Sequence, residues 1–144
     1  MNILALQSSG DQTSISVMLN MEIISFNFSH ERKDRPNWNM FLKNVGLDET
    51  FVLEDIDLFA YSNCQSSYTA TRTIASFLKG VSVALNKPLI VIDDKNEKYF
   101  DSSEIVKIAK EKYIESGNKS DLFNPASENP TYVNEANYKK INEW

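Results

Sequence analysis

The segment 60–93, AYSNCQSSYTATRTIASFLKGVSVALNKPLIVID, places a polar loop between an apolar strand and a long apolar helix. Nucleotide-binding folds often hold a phosphate at such a junction, and glycine there lets the backbone approach the anion with positive φ. The loop at 62–67 reads SNCQSS and contains no glycine. The turn SSG at 8–10 contains Gly10, which suits a plain hairpin as well as a phosphate turn. The sequence therefore gives little support to phosphate binding by backbone amides.

Two pairs of aspartates accompany predicted strands and could contribute to a metal site: Asp55 with Asp57, and Asp93 with Asp94. A Mg²⁺-dependent nuclease needs several carboxylates at the carboxyl ends of its strands. The first strand carries Gln7 where such an enzyme needs an aspartate, and an amide cannot balance the charge of the cation. Asp55 opens its strand, at the opposite end, and the second pair also fits a solvated turn. We predict no metal, no other cofactor and no catalytic residue.

Three further side chains could do chemistry. His30 is the sole histidine and has no second ligand at metal spacing, so we interpret it as an exposed loop residue, although a serine–histidine–aspartate triad assembled in space stays open. Cys64 lies beside a helix start, which can activate a thiol, or it is an incidental small residue. Arg72 lies in the first turns of an apolar helix, either in a surface ion pair or as an anchor or partner contact.

Length and composition narrow the class of protein. The 144 residues suit one compact domain, and 42% hydrophobic residues suit a folded one. A net charge of −5 argues against nonspecific nucleic-acid binding. One cysteine, no apolar run of membrane-spanning length and no signal-peptide pattern favour a soluble cytoplasmic protein without a membrane partner.

Hydrophobic periodicity predicts the order β-β-β-α-β-α-β-α. A meander followed by alternating helices and strands indicates an α/β fold, a mixed five-stranded sheet with helices on both faces. Its best match is a ribonuclease H-like lobe, which is also the lobe fold of the actin-like ATPase superfamily. We expect a tight hairpin at Asn20–Met21 and an extended tail after Ser116, anchored by Phe123, Tyr132 and Tyr138. The predicted strands are 2–8, 13–20, 21–29, 55–62 and 88–93, and the predicted helices are 37–47, 69–85 and 102–116.

The first two helices are more apolar than a sheet-covering helix requires. The 69–85 helix has apolar or small residues nearly all round, and the 37–47 helix exposes Trp38 or Met40 whichever face it buries. A monomer rarely leaves such a patch uncovered. Either a partner covers the helix pair or the C-terminal helix does.

Three stretches resemble the bacterial TsaB (YeaZ-like) family of tRNA threonylcarbamoyladenosine biosynthesis proteins. They are ILALQSS followed by TSISVML, SHERK before the first helix, and the segment 61–93. The tail, NPTYVNEANYKK, is similar to the family's C-terminal ending. The family's glycine-rich signature is degraded here: its glycines fall on Ser62, Cys64, Ser66 and Ala70, and its first-strand aspartate falls on Gln7. The signature leaves a motif remnant of Ser67, Thr69 and Arg72.

The resemblance implies a non-catalytic scaffold subunit. Its partner would be a TsaD-type catalytic subunit, with a TsaE-type ATPase, in t6A modification of tRNA, and tRNA would be contacted only indirectly. In the family the first two helices form the partner surface, which corresponds to 35–47 and 67–85 here. The implied interface residues are Trp38, Phe41, Leu42, Tyr68, Ala70, Thr71, Ile74, Ala75 and Leu78.

The chain is shorter than is typical of the family. We therefore expect an N-terminal lobe over 1–100, with 101–144 as the C-terminal helix and tail, a remnant of a second lobe. Two alternatives stay open: a stand-alone ATPase or hydrolase with this fold, and a decayed paralogue that homodimerises through the helix pair. A homodimer is also expected of the scaffold protein when its partner is absent.

Overall fold

The fold is known from a computed structural model that describes residues 1–63, 68–93 and 101–126. Within these ranges the chain forms five strands, three α-helices and two short 3-10 turns. The strands are β1 (Ile3–Ser8), β2 (Gln12–Leu19), β3 (Glu22–Ser29), β4 (Leu58–Asn63) and β5 (Leu89–Asp93). The helices are α1 (Trp38–Asn44), α2 (Tyr68–Leu85) and α3 (Ser102–Glu115).

All five strands form one mixed sheet in the order β3-β2-β1-β4-β5. The first three strands are antiparallel, and β4 and β5 continue the sheet parallel to β1. Every residue of β1 is buried, as expected of a central strand covered on both faces. The predicted mixed sheet with helices on both faces is confirmed.

A two-residue turn fixes the register of the β2–β3 hairpin. Asn20 and Met21 both have positive φ, 50° and 76°, as a type I′ turn requires, although they are not the favoured Asn-Gly pair. The turn pairs Leu19 with Glu22, and the ladder continues to Gln12 opposite Ser29. The predicted hairpin is confirmed.

Helices α1 and α2 cover one face of the sheet. They pack on alternate residues of the central strands, including Leu4, Leu6, Ile15 and Val17. Asn37 caps α1, because its Oδ1 accepts the Met40 N–H at 3.1 Å. The helix ends at Asn44, and the chain turns away at Gly46, whose φ of +106° and closeness to Thr50 Oγ1 leave no room for a Cβ. Helix α1 is shorter at both ends than the predicted 37–47.

Helix α3 covers the opposite face, against Ile3, Ala5 and Met18. Its N-cap is Asp101, whose Oδ1 accepts the Glu104 N–H at 2.9 Å and the Ser103 hydroxyl at 2.6 Å. The predicted helix is thus confirmed. Although the sequence placed α3 in a remnant second lobe, it packs on the same sheet as the rest of the chain. The division at residue 100 stays a prediction.

Two sequence predictions need adjustment. The strand expected at 55–62 begins at Leu58, because Leu53–Asp55 forms a 3-10 turn and Asp57 accepts the Asn2 N–H at 2.8 Å. In the tail, Ser120–Phe123 forms a second 3-10 turn, and the Phe123 ring packs on Tyr113 with centroids 6.0 Å apart. The other predicted tail anchors, Tyr132 and Tyr138, lie outside the described residues.

Candidate functional site

An aromatic cluster joins α1, α2 and β3. Trp38 stacks on Phe77 of α2, with ring centroids 4.8 Å apart and planes inclined by 16°. Phe41 lies against Phe26 and Phe28 of β3, at 5.7 Å and 5.9 Å between centroids, in edge-to-face geometry. Such pairs add to the stability gained from burial alone. The cluster fixes α1 relative to α2, so the two helices present one composite surface.

Most of the predicted interface residues are core residues, and their assignment to a partner surface is corrected. Their side chains face the sheet with at most 6% of their surface exposed, because the i, i+3, i+4, i+7 stripe is the pattern that the sheet itself requires. The buried members are Phe41, Leu42, Thr71, Ile74, Ala75 and Leu78.

The other three predicted interface residues reach the surface. Tyr68 is 45% exposed, and Trp38 and Ala70 are half-buried. Of the motif remnant, Thr69 and Arg72 are exposed, and Ser67 lies outside the described residues. The Arg72 guanidinium lies 5.7 Å from the centroid of the Tyr68 ring, a cation–π distance. Arg72 is thus a surface residue whose nearest described aromatic neighbour is one turn away.

The outer face of α2 is almost uncharged. A surface helix normally presents charged and polar residues to solvent. Here the exposed positions carry small, apolar or hydroxyl side chains, with a single cation at Arg72, and Val83 is 54% exposed. A Cβ added at Gly80 would meet no atom within 4 Å among the described residues. The exposed positions are Tyr68, Thr69, Arg72, Ser76, Gly80, Val83 and Ala84.

The alternative in which the C-terminal helix covers the helix pair is wrong for α3. This helix packs on Ile3, Ala5 and Ile90, whereas α2 packs on the alternate residues that face the other way, such as Leu4 and Leu6. The sheet therefore separates α3 from α1 and α2. Within the described residues, the outer face of α2 stays open.

Beside this face lies a cleft of about 860 Å³ at the carboxyl end of β1. Its volume is within the range of roughly 300–1,000 Å³ that is usual for small-molecule sites. The β1–β2 turn forms one wall, residues 30–36 form a second, and the starts of α1 and α2 form the third. The lining residues are Ser8, Gly10, Thr13, His30, Arg32, Lys33, Asp34, Arg35, Pro36, Trp38, Tyr68, Thr69, Ala70, Thr73 and Ile74.

A chain of hydrogen bonds connects the walls of the cleft. His30 Nδ1 lies 2.8 Å from the Glu31 carbonyl oxygen, which can only accept, so Nδ1 carries the ring proton. In the neutral ring Nε2 then accepts from the Thr13 hydroxyl at 2.7 Å. The Thr13 oxygen in turn accepts from the Ser8 hydroxyl at 2.9 Å, and the Gly10 N–H donates to the Ser8 oxygen at 3.1 Å. The chain ties both strand ends to the 30–36 segment.

His30 lies in the loop after β3, as predicted, but it is not fully exposed. Its ring is half-buried and stacks on Phe28, with centroids 6.1 Å apart, and its backbone N–H donates to Asp11 at 2.8 Å. The hairpin register could have revealed the position of His30. With a two-residue turn at 20–21, each residue of β2 pairs with the β3 residue for which the two numbers add up to 41. His30 therefore lies opposite Asp11, one position beyond the ladder and diagonal to Thr13.

The arrangement suits holding a segment better than activating a nucleophile. Ser8 and Thr13 are 5% and 3% exposed, so a substrate carbon cannot come within reach of their hydroxyl oxygens without a shift of the backbone. The ring nitrogen distal to Thr13 bonds a neutral carbonyl rather than the carboxylate of a triad. Among the described residues no three His, Cys, Asp or Glu side chains are placed to hold a metal. Cys64 and Asp94 lie outside the described residues.

Positive charge predominates along the cleft. Its lining contains the cations Arg32, Lys33 and Arg35 against one carboxylate, Asp34. Lys33 pairs with Glu31 at 3.3 Å, and Asp34 Oδ2 accepts the Glu31 N–H at 3.1 Å. Within the described part of the chain, neither arginine forms an ion pair with a carboxylate. Two exposed guanidinium groups therefore border a concave, partly apolar surface.

No protein-family model and no curated protein matches the chain. Solved structures do match. One is YeaZ from Pseudomonas aeruginosa, with a TM-score of 0.58, 21% sequence identity, and coverage of 81% of this chain and 50% of that one. Another, from the same organism, is described as an uncharacterised protein with similarity to peptidase YeaZ, with the same TM-score and identity, and coverage of 81% of this chain and 49% of that one.

These matches establish a YeaZ-like fold at low sequence identity. The chain spans about half the length of the solved structures that it matches. None of the described helices is both long and apolar enough to cross a membrane.

Proposed function

We propose that this chain is a divergent, non-catalytic scaffold subunit of the TsaB type, with a ribonuclease H-like fold. Its partner would be a TsaD-type catalytic subunit, acting with a TsaE-type ATPase in the cytoplasm to form threonylcarbamoyladenosine in tRNA, which this chain would contact only indirectly. Residues 101–144 would be what remains of a second lobe. The YeaZ-like fold supports the family assignment.

The observation that carries the docking role is the open outer face of α2. Of its seven exposed residues six are uncharged, including Val83 and Gly80, and α3 lies on the other side of the sheet. A partner helix can approach closely where small residues leave the backbone accessible, and aromatic Tyr68 gives the surface an anchor of the kind that dominates interface energies. The proposed interface therefore consists of the exposed positions of α2 with Trp38 and Ala70 at its edge, rather than the buried stripe.

The test is size-exclusion chromatography with light scattering, on the chain alone and mixed with the TsaD-like protein of the same genome. We expect a one-to-one complex for the unmodified chain. Val83→Arg should abolish it at micromolar concentrations, because the guanidinium would be desolvated in an apolar interface. Ile114→Arg is the matched control: Ile114 is 53% exposed on α3, Val83 is 54% exposed on α2, and each is an apolar helix residue.

Two outcomes would contradict the proposal. No complex at tens of micromolar protein would remove the partner role, and equal loss of binding in both arginine variants would show that the outer face of α2 is not the interface. Circular dichroism of both variants separates a lost contact from a lost fold, since each substituted side chain is already exposed.

The uncharged face of α2 also favours a second candidate, self-association of a paralogue without the partner role. Two copies could pair their α2 helices about a two-fold axis, which buries the same positions twice. In that case the chain alone would form a dimer that Val83→Arg dissociates, and the TsaD-like protein would not displace it. The scaffold role requires that the partner displaces any such dimer.

A further inference from the structure

We propose that the cleft between the β1–β2 turn and residues 30–36 binds a small phosphate ester with an apolar or aromatic organic group. We expect this chain to bind the ligand without the partner proposed above, although the cleft shares Trp38, Tyr68 and Ala70 with the edge of the proposed interface. It rests on the charge of the cleft, its shape, and the hydrogen bonds that hold its walls.

The charge of the cleft suits a dianion. Arg32 and Arg35 have guanidinium groups, whose planar donor forks bind phosphate oxygens in pairs. Lys33 also lines the cleft, although its ammonium group pairs with Glu31. The one lining carboxylate, Asp34, accepts a hydrogen bond from the backbone of its own segment. These cations stand out because the whole chain has a net charge of −5. A local excess of positive charge in an acidic protein is what an anionic ligand requires.

The rest of the cleft suits the organic part of an ester. Trp38 is held in place by its stack on Phe77, so its ring forms a fixed wall. Tyr68 and Ala70 line the same wall, at the start of α2. Aromatic rings in the lining of a cleft bind a planar or apolar group by stacking and burial. Inorganic phosphate alone would leave this surface uncovered, which is why we assign an ester rather than the free ion.

His30 positions the basic segment. Its ring bonds Thr13 on one side and the Glu31 carbonyl on the other, and its backbone N–H bonds Asp11. These three bonds fix residue 30 against the sheet, so the arginines that follow project over the cleft. Holding a charged group in place before binding reduces the entropy cost of binding. His30 is thus a positioning residue rather than a ligand contact.

The test is an NMR titration of the ¹⁵N-labelled chain with phenyl phosphate, inorganic phosphate and benzoate at low salt. Phenyl phosphate should shift the amides of Gly10 and of residues 30–35, and it should bind several-fold tighter than either other probe. The double variant Arg32→Ala/Arg35→Ala should weaken phenyl phosphate binding roughly tenfold, since an exposed ion pair contributes up to about 1 kcal/mol. Tyr68→Ala should weaken phenyl phosphate more than it weakens inorganic phosphate.

The charge-matched control is Lys112→Ala/Lys119→Ala, which removes two exposed cations from the far side of the sheet. It should leave binding unchanged. Equal weakening by the control and by the arginine variant would show nonspecific attraction and overturn the site. No shift with phenyl phosphate, or equal affinities for all three probes, would overturn it as well. Because each titration uses the chain alone, its result is separate from that of the partner-binding experiment.

A separate variant tests whether His30 positions the basic segment. His30→Ala should weaken phenyl phosphate binding and broaden the amide signals of residues 31–35, because the segment loses two side-chain hydrogen bonds. A variant that binds as tightly as the unmodified chain, with sharp signals, would show that the segment is held by other contacts and would remove the positioning role.

Discussion

The two faces of the sheet are buried alike but differ in what they show to solvent. On α3 the exposed residues are Lys107, Glu111, Lys112, Ile114 and Glu115, so four of five are charged. On α2 one exposed residue of seven is charged. Under the surface, both helices contribute fully buried apolar side chains, such as Leu78 and Ile105. The two helices therefore cover the sheet in the same way and differ in the residues that they expose.

The buried stripe and the exposed stripe of an amphipathic helix carry different information. The buried stripe reports that the helix covers a sheet, and both α2 and α3 have one. The composition of the exposed stripe reports what the helix meets beyond its own chain, because water favours charged side chains there. For α3 the exposed stripe indicates solvent, and for α2 it indicates another surface.

The largest expected effect tests whether the buried stripes are equivalent. Leu78→Ala in α2 and Ile105→Ala in α3 each remove a side chain that is 0% exposed. Each should lower the free energy of unfolding by about 3 kcal/mol, because a cavity is added to the lost burial. Urea denaturation of both variants measures this.

The two stabilities test whether Leu78 is a core residue or an interface residue. If Leu78→Ala lost little stability and instead lost partner binding, Leu78 would belong to a partner surface and the core assignment would be wrong. Because Ile105 serves as the matched residue on the other face, a global weakness of the fold would appear in both variants.

The sequence predicted the order and type of all eight regular elements, since alternation of period two and stripes of period 3.6 are imposed by burial alone. The start of β4 was misplaced because Asp55 and Asp57 continue the alternation of a strand while their carboxylates bond backbone amides before the strand begins. Alternation of polar and apolar residues alone therefore cannot place the start of a strand.

The candidate site was less accessible to sequence reasoning. The apolar stripe of α2 was assigned to a partner, although residues such as Ile74 are required by the sheet, and periodicity alone cannot tell these two uses apart. The cleft was missed because its walls are joined by contacts between β1, β2 and the segment at 30–36. The link through His30 follows from the hairpin register, so this part could have been found by extending the pairing one position.

An intermediate effect is expected at the start of α3. Asp101→Ala removes the N-cap and should lower stability by about 1 kcal/mol at pH 7. The hydrogen bond from Ser103, together with backbone N–H groups, holds the pKa of Asp101 below its usual range. A carboxylate whose pKa is lowered by folding contributes stability that is present above about pH 4 and is lost as the pH falls through the lowered value.

Asp101→Asn separates the cap from the charge, because asparagine also caps helices well. Its stability deficit relative to the unmodified chain should therefore shrink between pH 5 and pH 3 in urea denaturation. A deficit that stays constant over this range would show that the carboxylate charge contributes nothing to the start of α3.

The smallest expected effect contrasts one substitution at two glycines. Gly80→Ala lies in the interior of α2, where an added Cβ meets no described atom within 4 Å, so it should stabilise the free chain by about 0.5–1 kcal/mol. Gly117→Ala follows α3, where φ is +79°, so the same change should destabilise the chain by a similar amount. Thermal or urea unfolding measures both.

Complex formation with the TsaD-like protein tests whether Gly80 lies in the interface. A glycine that is unfavourable for its own helix and unconstrained by its own chain is expected where another backbone approaches, so Gly80→Ala should weaken complex formation while strengthening the free fold. Opposite signs of the two effects would place Gly80 in the interface. Gly80→Ala could instead stabilise the free chain and leave binding unchanged. The partner would then not contact the middle of α2, and the proposed interface would be limited to Tyr68, Ala70 and their neighbours at the helix start.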